Sequence, residues 1–157
     1  MGPGSYTGLR IGVSAAKGLC FALNIPLISV STLKALAMQV DVSKGFIISM
    51  LDARRLEVYS EVFDSDYNSV RPIEAEIVEN DSFSTFLETE KVFFVGNGVS
   101  KTQDIIEHPN AEFINHKLPS AMEMGKLAEE KYKISDIEDV AYFEPYYLKD
   151  FVGTKSK

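Results

Sequence analysis

The chain has 157 residues, 45% of them hydrophobic, which is enough for one ordinary domain or two small lobes and excludes wholesale disorder. Sixteen Lys and Arg against 23 Asp and Glu give a formal charge of −7, which argues against a broad nucleic-acid surface because phosphate neutralisation needs clustered cations. Cys20 is the only cysteine, so an internal disulfide is excluded and a reduced, cytoplasmic setting is expected.

No secretory signal is expected, since no basic region precedes the first apolar stretch. The apolar run 18–30 is interrupted by Asn24 and Pro26 and is too short to span a bilayer. In chain order, the glycine-rich opening "MGPGSYTG" leads into a helix over 5–24, capped by Ser5 or Thr7. Leu9, Ile11, Val13, Ala15, Ala16, Leu19, Cys20, Ala22 and Leu23 cover an arc of about 200°, twice the stripe a surface helix needs, so this helix demands burial on more than one side. The remaining narrow face carries Tyr6, Arg10, Ser14, Lys17 and Phe21. Gly8, Gly12 and Gly18 each cost roughly 1 kcal/mol of helix stability against alanine, and make sense where backbones approach closely.

"LISVS" at 27–31 reads as a short buried strand. Ser31 caps a second helix with Leu33, Leu36, Ala37 and Val40 on one face. The segment 40–45 marks a lobe boundary, giving regions 1–44 and 45–157. Two strands, 46–53 and 56–64, are joined at hairpin spacing through Arg54 and Arg55. A third strand is expected at 73–79 and a short helix at 82–89 with Phe83, Phe86 and Leu87 on one face. Strand 92–98 ends in Gly96-Asn97-Gly98 and leads to a helix over 99–107. After a strand near 112–115, Ser120 and Glu123 form a capping box for a helix reaching about 133, with Met124, Leu127 and Ala128 inward. The aromatic tail 139–151 is irregular and packs along the body. Alternating strands and helices indicate an α/β fold.

Gly2, Gly4, Ser5, Thr7 and Gly8 could present N–H groups and hydroxyls to a phosphate or a nucleotide, although neither the G-x-x-x-x-G-K-[ST] nor the G-x-G-x-x-G pattern is met; the structural-turn reading is the stronger. Gly96-Asn97-Gly98 has the same two readings. Asp52 could hold a metal or orient water, but reads more simply as a local ion pair with Arg54 and Arg55. His108 and His116 lack metal-ligand spacing, so no metal site is expected. Cys20 reads as core, and Ser5 has no base identifiable from sequence, so no catalytic residue is assigned.

The stretch GPGSYTGLRIGVSAAKGLCFALNIPLISVSTLKALA resembles the TsaB (YeaZ) family, and "MLDARRLEVYSEVF", "VFFVGNG" and "AYFEPYYLKDF" match it in the right order. The resemblance implies an actin-like, two-lobed fold of the sugar-kinase and heat-shock ATPase (ASKHA) superfamily, each lobe built on a ribonuclease-H-like mixed sheet. Family members carry strands and a helix before GPGS, so the resemblance implies an incomplete first lobe. It implies a non-catalytic scaffold in the synthesis of threonylcarbamoyladenosine (t6A) in tRNA. That scaffold activates the catalytic paralogue TsaD, with the ATPase TsaE as third component. It further implies homodimerisation in isolation, only indirect contact with tRNA, no cofactor of its own, and ATP or ADP at the partner interface. The partner face carried over consists of Leu9, Arg10, Val13, Ser14, Lys17 and Phe21. The alternative within the superfamily is an independent ATPase or kinase using Gly2–Gly8, Gly96–Gly98 and Asp52. A peptidase role finds no catalytic dyad in the sequence.

Overall fold

The structure, a computed structural model, describes residues 1–55 and 57–149. Its centre is the run Phe46–Asp52 (β1), which is apolar at nearly every position and so can be buried on both faces, as a central strand must be. After Asp52 the chain returns as Glu57–Phe63 (β2), antiparallel to β1 with Ser49 opposite Glu61. Ser69–Ile77 (β3) follows as an antiparallel edge strand. Val92–Val95 (β4) and Ala111–Ile114 (β5) add in parallel on the other side, giving the order β3-β2-β1-β4-β5. This mixed sheet bears out the expected α/β class, and the alternation of strands and helices explains it: the parallel pairs need crossovers, the antiparallel ones only turns.

Because β1 alternates, its residues feed two cores. Ile48 and Met50 join Val58, Val62, Val92 and Phe94 under Phe83, Leu87, Val99 and Ile106. Ile47 and Leu51 join Phe63 and Val95 under Leu33, Leu36, Ala37 and Val40. The latter four belong to or follow the helix Thr32–Ala37, whose first turn is capped by Ser31 accepting from the Lys34 N–H, as the sequence predicts. In chain order the helices are Tyr6–Leu23 (α1), Thr32–Ala37 (α2), Ser84–Leu87 (α3), Val99–Thr102 (α4) and Ala121–Lys133 (α5). Ser120 caps α5 by accepting from the Met122 N–H, and its interaction with the Glu123 carboxylate holds that group below its ordinary pKa.

Several expected elements differ. Residues 27–31 are not a laddered strand; they pair only through single bridges, Gly2 with Ser31 and Leu27 with Glu138. β3 starts at Ser69 rather than 73, because an edge strand tolerates Pro72 with its missing donor. α3 and α4 are single turns instead of eight or nine residues. After Thr102 the chain tightens into turns that bring both Ile105 and Ile106 to the core, which adjacent positions of a regular helix would separate by about 100°. In α5 only Leu127 is buried; Ala128 is half-buried and Met124 turns outward, since α5 meets the body along a narrow strip by Val30 and Ala35. The segment 139–149 is irregular and lies along α1; Asp150 and Phe151 of the expected tail, and Leu56 of the expected second strand, lie outside the described residues. No helix among the described residues is long and apolar enough to cross a membrane.

Candidate functional site: the first helix and its cleft

α1 is built as its sequence dictates. Ser5 Oγ accepts from the Gly8 N–H at 3.4 Å, and Asn24 closes the helix in the left-handed region (φ 52°) with its N–H bonded to the Cys20 carbonyl. Its inward stripe is Tyr6, Leu9, Val13, Ala16, Lys17 and Cys20, of which only Cys20 is buried; its Sγ lies 3.6 Å from the Pro26 carbonyl. The remaining twelve residues of the helix are exposed, and among them only Arg10 is charged. Ile11, Leu19, Phe21 and Leu23 are each more than 60% exposed. The wide apolar arc read from the sequence is therefore real, and most of it has no covering among the described residues. A side chain added at Gly12 or Gly18 would meet nothing within 4 Å, so the glycines are not there to admit a neighbour from the described residues.

The residues carried over as a partner face fall into two groups. Leu9 and Val13 turn inward, half-buried, and the Lys17 ammonium donates to the carbonyls of Ala141 (3.1 Å) and Phe143 (2.9 Å). Arg10, Ser14 and Phe21 are exposed. Arg10, Val13, Ser14 and Lys17, with Tyr6, wall a groove of about 370 Å³ whose other side is Phe143, Glu144, Pro145 and Tyr147.

The turns singled out separately in the sequence converge on a cleft of about 530 Å³. Gly4, Ser5 and Thr7 form one wall, Asp52, Ala53 and Arg54 another, with Asn97 between them and Tyr146–Lys149 closing the rim. The hairpin tip is held in an uncommon conformation, Arg54 at φ 72° and Arg55 at φ 55°, where bulky residues are disfavoured. Four contacts hold it there. Asp52 Oδ1 accepts from the Arg54 N–H at 2.7 Å, Lys101 Nζ reaches Asp52 Oδ1 at 2.6 Å and the Arg55 carbonyl at 2.5 Å, and Asn97 Oδ1 accepts from the Asp52 N–H at 2.9 Å. Asp52 is thus ion-paired with Lys101 rather than with either arginine, and that hydrogen bond holds its carboxyl below the ordinary carboxylate value.

Whether these turns suit a nucleotide's phosphates is tested by what the glycines accommodate. A Cβ on Gly2 would lie 2.6 Å from the Tyr146 carbonyl oxygen, and one on Gly96 would lie 2.1 Å from that of Met50. Both have positive φ, so both glycines are required by the chain's own packing. Gly4 faces Leu9, Gly8 faces Ser5, and Gly98 faces Met50 and Val58. Close approach of the chain's own carbonyls at Gly2 and Gly96 is thus a sufficient structural reason for both glycines. Gly4, Ser5 and Thr7 are exposed to the cleft side. Among the described residues no group of three His, Cys, Asp or Glu side chains converges; His108 Nδ1 accepts from the Asn110 N–H. Sequence reasoning missed Lys101 and the rim residues Tyr146–Lys149, whose roles depend on contacts from 46 residues away (Lys101 to Arg55) to 145 residues away (Tyr146 to Met1) and leave no local signal.

Comparison with known proteins places this geometry. A family model described as TsaD, tRNA N6-adenosine threonylcarbamoyltransferase, matches residues 1–154. The TsaB proteins of Bacillus subtilis (strain 168) and Escherichia coli (strain K12), each described as a tRNA threonylcarbamoyladenosine biosynthesis protein, are 33% and 30% identical over 94% and 98% of this chain. The chain spans 66% and 70% of their lengths. The structure of YeaZ from Pseudomonas aeruginosa superposes with a TM-score of 0.75 at 25% identity, over 94% of this chain and 70% of that one. A model spanning nearly all of the sequence, relatives matched along almost its whole length, and an ASKHA-type α/β fold that superposes on YeaZ together show that this chain belongs to the TsaB (YeaZ) family.

Proposed function

We propose that the chain is a non-catalytic scaffold in t6A synthesis, acting in the cytoplasm by docking through α1 onto the catalytic subunit TsaD, with TsaE as a further component and tRNA met only through the complex. The observation that carries this reading is the exposed side of α1: twelve exposed residues, one charge, three glycines, and large aliphatic side chains in solvent. Gly8, Ile11, Gly12, Ala15, Gly18, Leu19 and Ala22 lie on one side, opposite the inward stripe, at the spacing helix packing uses. Glycines with open space around them let a second helix come close. A second copy of the chain is the alternative occupant when TsaD is absent.

The inward orientation of Val13 and Lys17 makes them poor probes, because changing them disturbs this chain as well as any partner. Ala15→Glu puts a charge at the centre of the exposed side without touching the chain's own packing. Co-expression with TsaD from the same source should then give no co-purification, with the variant's melting temperature unchanged. Undiminished co-purification would count against docking on this face.

An independent ATPase or kinase has one observation in its favour, the convergence of Ser5, Thr7, Asp52 and Asn97 on one cleft. It needs a free carboxylate and backbone open to a ligand, whereas Asp52 is held by Lys101, and Gly2 and Gly96 pack against the chain. Calorimetry with ATP and Mg²⁺ separates the readings: micromolar binding with turnover favours the enzyme, no heat favours the scaffold.

A further inference from the structure

We propose that residues 138–149 form a latched strap that opens as a unit from α1, with Lys17 as its principal latch. The proposal stands on this chain alone and does not depend on docking to TsaD. No residue from 139 to 149 is buried, and none belongs to a helix or a strand, so the segment contributes little to either core. Such a region opens at far lower free energy than the sheet.

The strap is nevertheless held at definite points. At its base, the Glu138 N–H donates to the Leu27 carbonyl at 2.8 Å and the Glu138 carboxylate accepts from the Ser29 hydroxyl, which fixes the pivot. Beyond the pivot, Lys17 Nζ donates to two main-chain carbonyls, Ala141 and Phe143, and Tyr147 packs on Tyr6 with ring centroids 4.7 Å apart. At the far end Lys149 pairs with Glu57 on β2. The groove of about 370 Å³ between strap and helix means that these contacts are points rather than a packed interface.

The strap also keeps its own local shape. Asp139 Oδ1 accepts from the Ala141 (2.7 Å) and Tyr142 (3.2 Å) N–H groups, and the Asp139 carbonyl accepts from Phe143 at 2.8 Å. This turn survives detachment, so the strap swings rather than frays. Its movement has two consequences on the same stroke. It frees the Lys17 ammonium on the flank of α1 where Arg10 and Ser14 already stand exposed, and it removes Tyr146–Lys149 from the rim of the cleft. Anything that engages that flank therefore competes with the chain's own C-terminal segment.

Hydrogen exchange on the full chain tests this. Lys17→Met keeps the stem but loses the donors, and Tyr147→Ala removes the ring contact at the other end. Each should raise exchange tenfold or more at the amide of Tyr146, which donates to the Met1 carbonyl at 3.2 Å, while leaving unchanged the amide of Phe143, held within the strap's own turn, and the amides of 47–51. Lys17→Arg, which can still donate to both carbonyls, should stay within threefold of the native chain. Three results would overturn the proposal: unchanged exchange at Tyr146 in both variants, full exposure of that amide already in the native chain, or an equal rise at Tyr146 and in the sheet amides in both variants.

Discussion

The sheet and α1 use comparable amounts of apolar sequence with opposite results. In β1 every residue from Ile47 to Leu51 is buried, and both faces are covered by elements of the same chain. In α1, 18 residues long, only Cys20 is buried, and the large side chains at 11, 19, 21 and 23 stand in solvent. The apolar surface that the described residues leave uncovered on α1 is what the proposed docking would use. The sheet explains how the chain folds; α1 carries the functional proposal.

The contrast breaks most visibly under truncation of phenylalanines. Phe94, fully buried between Phe83 and Phe113, should cost about 3–5 kcal/mol as Phe94→Ala. Phe21→Ala, at an 84% exposed position, should stay within about 0.5 kcal/mol. Urea unfolding of the two variants reads both, and equal losses would mean that α1 is covered after all.

A pH-dependent effect sharpens the sheet side. Glu61 lies opposite Ser49, and burial raises its pKa although Ser69 and Lys34 oppose the shift. A raised folded-state value means that the native chain is relatively more stable when Glu61 is protonated, and loses that benefit as pH rises through the raised value. Glu61→Gln mimics the protonated group, so it should stabilise by a few tenths of a kcal/mol at neutral pH, given its partial exposure. The gain should vanish below the ordinary glutamate value of about 4.3. Thermal melts at several pH values check it.

The smallest expected effect lies at the cleft. Lys101 lowers the Asp52 pKa, so their pair contributes above the ordinary aspartate value and is lost as pH falls through the depressed one. Lys101→Met should cost no more than about 0.5 kcal/mol at neutral pH, less in high salt, and nothing in strong acid, because the pair is partly exposed. Its clearer mark should be a hairpin tip with faster exchange at the Arg54 amide.

How much of this was legible depends on whether the signal was local. The hairpin, the caps at Ser5, Ser31 and Ser120, and the breadth of the α1 arc are written in residues adjacent in sequence, and all appear in the fold. The overlong α3 and α4 show the opposite case, where apolar spacing is helical but the core takes up Phe83 and Ile106 from turns. Asp52 is legible as a candidate, but its partner is Lys101, 49 residues away, rather than the adjacent arginines. The family resemblance carries Lys17 over as a partner contact, and nothing local in the sequence shows that its ammonium also reaches the carbonyls of Ala141 and Phe143. On α1 the sequence records how much apolar surface exists, while only the fold shows which part of it is left over.

The most direct test of that remainder is the double substitution Gly12→Ala, Gly18→Ala, measured for both stability and affinity toward TsaD. Both sites are open, so alanine should improve the helix, raising stability by up to about 1 kcal/mol at each. If a partner helix packs closely there, the added methyl groups should weaken binding tenfold or more in the same protein. A more stable chain with unchanged affinity would contradict the account, because the exposed side of α1 would then not be where TsaD docks.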